Sequence, residues 1–194
     1  MSLQLRLDER TKAMVQYGAE LFIGYLLELI ALIVIAALFG MLKYSIPIFI
    51  AVNIFTFLLD SRHFSTYAKC FLMTVIIYTF LPWMAMMFIP NISFWLLRIF
   101  TILIALYSVY VILNFALMPG HNKRIKNEAQ RVRLKTIAVT YIVIWNCIVL
   151  LISFLSDKDI ILPAFASAWG LLLQSFISTP AGGRLFIKID KLLG

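Results

Sequence analysis

The chain has 194 residues, 63% of them hydrophobic and 13% charged, with a formal net charge of +8. A soluble domain is nearer half apolar and a quarter charged, so a water-soluble fold would strand apolar surface, and the bilayer is the natural solvent. In a soluble protein the positive charge would point to nucleic acid; here it reads as basic joints held at the cytoplasmic face. No zinc, P-loop, dinucleotide or nucleic-acid motif stands out, so no metal, cofactor or nucleic-acid partner is expected.

The chain opens on a polar stretch of mixed charge, MSLQLRLDERTKAM. The apolar run after it is about 20 residues, too long for a signal-peptide core, and no small-residue cleavage site is evident, so no segment is expected to be removed. Six apolar stretches cross or nearly cross a bilayer: 20–41, 45–59, 70–89, 93–118, 137–155 and 160–178. The second, SIPIFIAVNIFTFLL, falls short of the ~20 residues of a straight crossing. It is a short span, a tilted one or a re-entrant piece, and length alone does not decide.

The polar joints alternate in charge. Arg6, Arg10 and Lys12 precede the first run, and Arg62 and Lys69 separate the second from the third. Lys123, Arg124, Lys126, Arg131, Arg133 and Lys135 fall within 119–136, and Arg184, Lys188 and Lys191 close the chain. The other joints hold Lys43 and Lys158, while Arg98 lies inside the fourth run. With the basic joints inside, the expectation is an all-α polytopic membrane protein of about six transmembrane helices, both termini cytoplasmic. Residues 1–194 form one membrane-embedded domain in this reading. Within the 119–136 segment Ile125, Ala129 and Val132 recur at helical spacing, so it is either a basic cytoplasmic loop or an interfacial helix touching lipid headgroups.

Inside the runs, Glu28 needs a partner, and Arg98 is the expected one. Asn53 and Gln174 are expected to bond between helices. Trp83, Trp95 and Trp169 lie near predicted interfaces. Two cysteines make no disulfide framework, and both are expected to be reduced. Cys147 reads as packing, and His121 as a loop residue.

The stretch DSRHFSTYAKCF sets His63 seven residues before Cys70. A catalytic cysteine works as a thiolate, and an imidazole within hydrogen-bond reach takes its proton. In one straight helix that spacing is about 10.5 Å along the axis, which is too far. A working pair therefore requires a chain break between the two residues. Ser65 and Thr66 are good N-caps directly before the third run. A helix starting there puts Cys70 near its first turn, where the helix dipole favours a thiolate, with Lys69 a cation nearby. Asp60 is close enough to orient the imidazole and equally able to pair with Arg62. The plain alternative is an interface histidine and a cysteine acting as a small hydrophobe.

HFSTYAKCFLMT closely resembles the active-site segment of the accessory gene regulator B family of membrane-embedded cysteine endopeptidases, which process quorum-sensing propeptides. The family's His is followed seven residues later by its nucleophilic Cys, often with Ser or Thr and a basic residue between; here these are His63, Ser65, Thr66, Lys69 and Cys70. QYGAE (16–20), LFG (38–40), Pro82, LMPGHNKRIKNE (117–128) and LLQSFISTPAG (172–182) resemble further family segments. The chain departs from the family where Asp60 and Ser61 replace a glycine pair and Thr56 replaces an arginine. The resemblance implies that Cys70 attacks a propeptide bond with His63 as base, releasing the C-terminal tail. A thiol or hydroxyl of the peptide then captures the acyl group as a cyclic thiolactone or lactone. It further implies a cell-membrane enzyme, a homodimer, an active site toward the cytoplasm, and an acidic propeptide tail docked on Lys123, Arg124 and Lys126. A catalytically inactive relative that binds or transports a small peptide is the alternative.

Overall fold

The computed structural model describes residues 9–59, 66–115, 128–155 and 157–193. Among them the chain forms α1 (Glu9–Leu38), α2 (Leu42–Leu59), α3 (Tyr67–Phe88), α4 (Phe94–Asn114), α5 (Glu128–Ile152), α6 (Lys158–Ile177) and α7 (Pro180–Leu192). A single 3-10 turn, Ile89–Asn91, links α3 to α4. The described residues contain no strand. Helices dominate because apolar segments in lipid must satisfy every backbone group internally.

Local sequence sets the boundaries. Gly40, at φ 66°, ends α1 in the left-handed region that costs glycine least. Around it Met41 N–H donates to the Ala36 carbonyl (2.8 Å) and Gly40 N–H to that of Ala37 (3.1 Å), the double bond of a Schellman turn. Thr66, Ser93, Asp157 and Thr179 cap α3, α4, α6 and α7, each side-chain oxygen accepting a backbone N–H of the first turn.

Five helices, α2 to α6, are long and apolar enough to cross a membrane, α3 continuing for this purpose through the 3-10 turn. In α1 the stretch Phe22–Leu38 is a further, shorter apolar segment among the described residues. The all-α polytopic expectation holds. The doubtful second run proves to be one continuous helix of 18 residues, entered three residues early at Leu42, with Pro47 inside it. That length is about 27 Å, close to the hydrocarbon thickness, so it needs no re-entrant turn. Of the basic 119–136 segment, 128–136 belong to α5, and 119–127 lie outside the described residues.

The bundle is organised around α2 and α6, which pack most extensively on each other. At Gly170 of α6 the α2 side chains come so close that an added Cβ would stand 2.7 Å from Val52 Cγ2. One core cluster holds Phe55, Leu59, Ile104, Ile142 and Leu171; the other holds Tyr44, Ile48, Ile89, Leu97 and Phe165. Polar bonds join the helices between them: Ser175 Oγ to Ser108 Oγ (2.7 Å), Trp145 Nε1 to Ser167 Oγ (2.9 Å), and Tyr141 Oη to the Ala51 carbonyl (2.8 Å). Asn53 bonds Tyr78 Oη across α2 and α3 at 3.1 Å, as its sequence position suggested. Large apolar side chains such as Phe22, Phe57, Leu106 and Leu151 face outward, as a lipid-bathed surface requires.

Two sequence expectations change. Arg98 does not pair with Glu28. Its Nη2 donates to the Ser153 carbonyl (2.7 Å) and its Nε to Ser153 Oγ (2.9 Å), over the Phe154 ring. It thus serves the carbonyl-rich end of α5, where a cation is favoured. Cys147 is exposed on α5, and its neighbour Asn146 is the residue turned inward.

Candidate active site at the start of the third helix

The long helices run alternately up and down, and contacts between helices fix their ends. Lys43 of α2 meets Asp159 of α6 at 2.6 Å, which places those two helix starts together. Lys135 of α5 donates to the Leu113 carbonyl near the end of α4 (2.9 Å). Lys69 of α3 reaches α7. The start of α3, the end of α4, the start of α5 and α7 therefore share one end of the bundle, and among the described residues that end carries Lys69, Arg131, Arg133, Lys135, Arg184, Lys188 and Lys191.

At that end Thr66 has φ −130° and ψ 152°, an extended backbone that separates α3 from what precedes it. Its side-chain oxygen accepts the Lys69 N–H at 3.4 Å, and its carbonyl accepts the Cys70 N–H at 3.1 Å. Cys70 thus closes the first hydrogen-bonded turn, half-buried, at the positive end of the helix dipole. Thr66, which lies between His63 and Cys70 in the chain, has an extended backbone, so no single helix runs through both positions. Thr66 fills the role expected of a cap. Ser65, His63, Asp60 and Ser61 lie outside the described residues, as do His121, Lys123, Arg124 and Lys126. Thr56, where the family's arginine was expected, sits half-buried on the last turns of α2.

Lys69, expected as a cation near the cysteine, donates from its ammonium to the Asp190 carbonyl at 2.9 Å and stands 3.6 Å from the Asp190 carboxylate. Both side chains are largely covered, 13% and 23% exposed. Sequence reasoning passed over Asp190 and the helix that carries it. The signal was there, since STPAGG holds an N-cap threonine followed by proline at the first helical position. The basic and apolar residues after it segregate to different helix faces.

An apolar cavity of about 390 Å³ lies between α3, α4 and α6, lined by Leu81, Tyr107, Trp169, Leu172, Leu173 and Phe176. It sits about three turns along α3 from Cys70, and its lining includes no carboxylate, histidine, cysteine or lysine. Among the described residues no cluster of three His, Cys, Asp or Glu could hold a metal ion.

Five apolar helices long enough to span a membrane define a multi-pass membrane protein. The cysteine at a capped helix start is its clearest candidate for chemistry. The family model described as Accessory gene regulator B matches residues 1–178, and the chain belongs to that family. It is a family of membrane proteases, tied to accessory gene regulator quorum sensing. No curated protein and no solved structure matches the chain. Helix α7 lies wholly beyond the matched residues.

Proposed function

We propose that this protein is a cysteine endopeptidase of the cell membrane that cleaves a small propeptide at the cytoplasmic face and closes its signal segment into a ring. The observation that carries the reading is the Thr66-capped start of α3, which holds Cys70 in a first turn preceded by a helix break. In that position a thiolate is favoured, and the extended backbone of Thr66 interrupts the straight-helix geometry that would hold His63 too far away.

The reaction runs in two transfers. His63 takes the Cys70 proton, and the thiolate sulfur attacks the carbonyl carbon of the scissile bond. The C–N bond breaks, the imidazolium gives its proton to the leaving amine, and the C-terminal tail departs from a Cys70 thioester. A thiol of the signal segment then attacks that thioester, its proton returning to the Cys70 sulfur as the thiolactone closes; a hydroxyl gives the lactone in the same way. Exchange of one thioester for another is nearly balanced, so shelter from water decides between ring and hydrolysed acid. Asp60 orients the imidazole, and Lys123, Arg124 and Lys126 hold the acidic tail. The protein works as a homodimer, with the basic end of the bundle against lipid headgroups on the cytoplasmic side.

Coexpression with the cognate propeptide tests the reading. Native protein and Cys147→Ala should release the tail, and Cys70→Ala and His63→Ala should not. Undiminished cleavage by Cys70→Ala would sink the peptidase reading and leave that of a peptide-binding or transport protein.

A further inference from the structure

Helix α7 has three faces. Gly182 and Gly183 are buried, and Phe186, Ile189 and Asp190 are half-covered on the side turned to the bundle. Leu185 and Leu192 form an exposed apolar flank. Arg184, Lys188 and Lys191 form an exposed basic edge beside it. Two residues, Ser178 and Thr179, separate α7 from the membrane helix α6, so α7 emerges at the bilayer edge, and these faces suit an interfacial helix. Its far end returns to α3, where Lys69 bonds both the carbonyl and the carboxylate of Asp190.

The pairing has a clear electrostatic logic. The Asp190 carbonyl is among the last of its helix, where backbone acceptors lack intrahelical donors, and the Lys69 ammonium supplies one. Lys69 in turn occupies the first turn of α3, where a cation opposes the helix dipole, and the Asp190 carboxylate offsets it. The negative end of one helix is thereby fastened to the positive end of another, one residue from Cys70.

We propose that α7 is a clamp on the first turn of α3, with Asp190 as a positioning residue that acts on Cys70 through Lys69. It fixes the turn that presents the thiol and keeps the lysine charge directed at α7. The inference rests on Cys70 being the nucleophile only for its consequence in catalysis; the clamp itself is a statement about two helices.

The test uses full-length protein in membrane vesicles, in a Cys147→Ala background so that Cys70 is the remaining thiol. Iodoacetamide labelling at fixed neutral pH reads the thiol, and limited trypsin cleavage after Arg184 and Lys188 reads the docking of α7. Asp190→Asn should speed Cys70 labelling by about threefold or more, since a lost negative charge favours the thiolate and a released turn exposes it. It should also open α7 to trypsin while propeptide cleavage falls. Asp190→Glu, which keeps the charge, should stay within about twofold of native in all three readouts. Lys69→Gln is the second variant and should open α7 to trypsin as Asp190→Asn does. Labelling and trypsin access unchanged in Asp190→Asn, or changed equally in Asp190→Glu, would overturn the clamp. Cleavage that persists in Cys70→Ala would instead remove the peptidase reading while labelling and proteolysis still judged the clamp.

Discussion

At Thr66 one side chain decides where a helix starts and which residue stands in its first turn. Its hydroxyl accepts the Lys69 N–H, so replacing it leaves a first-turn donor without a protein partner. Thr66→Ala should cost about 1 kcal/mol of stability, seen as a lowered midpoint of thermal unfolding in detergent, and Thr66→Ser should recover most of it. Gly40 is the other position where a single residue sets the chain's course. Its φ of 66° should make Gly40→Ala destabilising by about 1 kcal/mol even though no atom stands within 4 Å of the added methyl. Arg98 shows how residue-scale reading goes astray. Charge alone suggested Glu28, but a helix end rich in carbonyls, with Phe154 beside it, satisfied the guanidinium closer to hand.

The six apolar runs announce α1 to α6, because a bilayer crossing leaves a hydropathy signal that needs no tertiary information. Their ends were less legible. α2 and α5 extend beyond their apolar cores by drawing in Leu42–Tyr44 and Glu128–Thr136, whose helicity depends on the turns they continue. The cap at Thr66 could be read directly, since a hydroxyl before an apolar run is a local signal. The partner of Lys69 could not, because Asp190 lies 121 residues away and reaches it through the fold. The α6–α7 corner gives the sharpest element-scale test. A Cβ at Gly182 would run into the Phe176 carbonyl oxygen, so Gly182→Ala should displace α7 or cost roughly 1–3 kcal/mol. Trypsin access at Arg184 measures the displacement. Within the bundle, Gly170→Leu should wedge α2 from α6 and lower the yield of folded protein, as size-exclusion profiles would reveal, because Val52 and Ile48 already fill that space.

Over the whole molecule, α3 and α4 form one up-and-down pair and α5 and α6 another, which brings the start of α3, the end of α4, the start of α5 and α7 to one end. Sequence charge had grouped the same segments, and the Lys43–Asp159 contact marks the opposite end. On the proposed reading the basic end faces the cytoplasm and receives the propeptide. Changing Lys123, Arg124 and Lys126 together to glutamate should reduce cleavage by about tenfold or more while insertion stays normal. Normal cleavage at normal insertion would remove these residues from substrate docking.

The account turns on a covalent bond to one sulfur. Purified protein in liposomes, mixed with propeptide and quenched in acid, can be digested and its Cys70 peptide weighed by mass spectrometry. A hydroxylamine-sensitive adduct on Cys70 is expected, its added mass that of the propeptide fragment N-terminal to the cleaved bond less one water. The adduct should persist in Cys147→Ala and vanish in Cys70→Ala together with tail release. Tail release that continues in Cys70→Ala, with no adduct on Cys70 in the native protein, would contradict it.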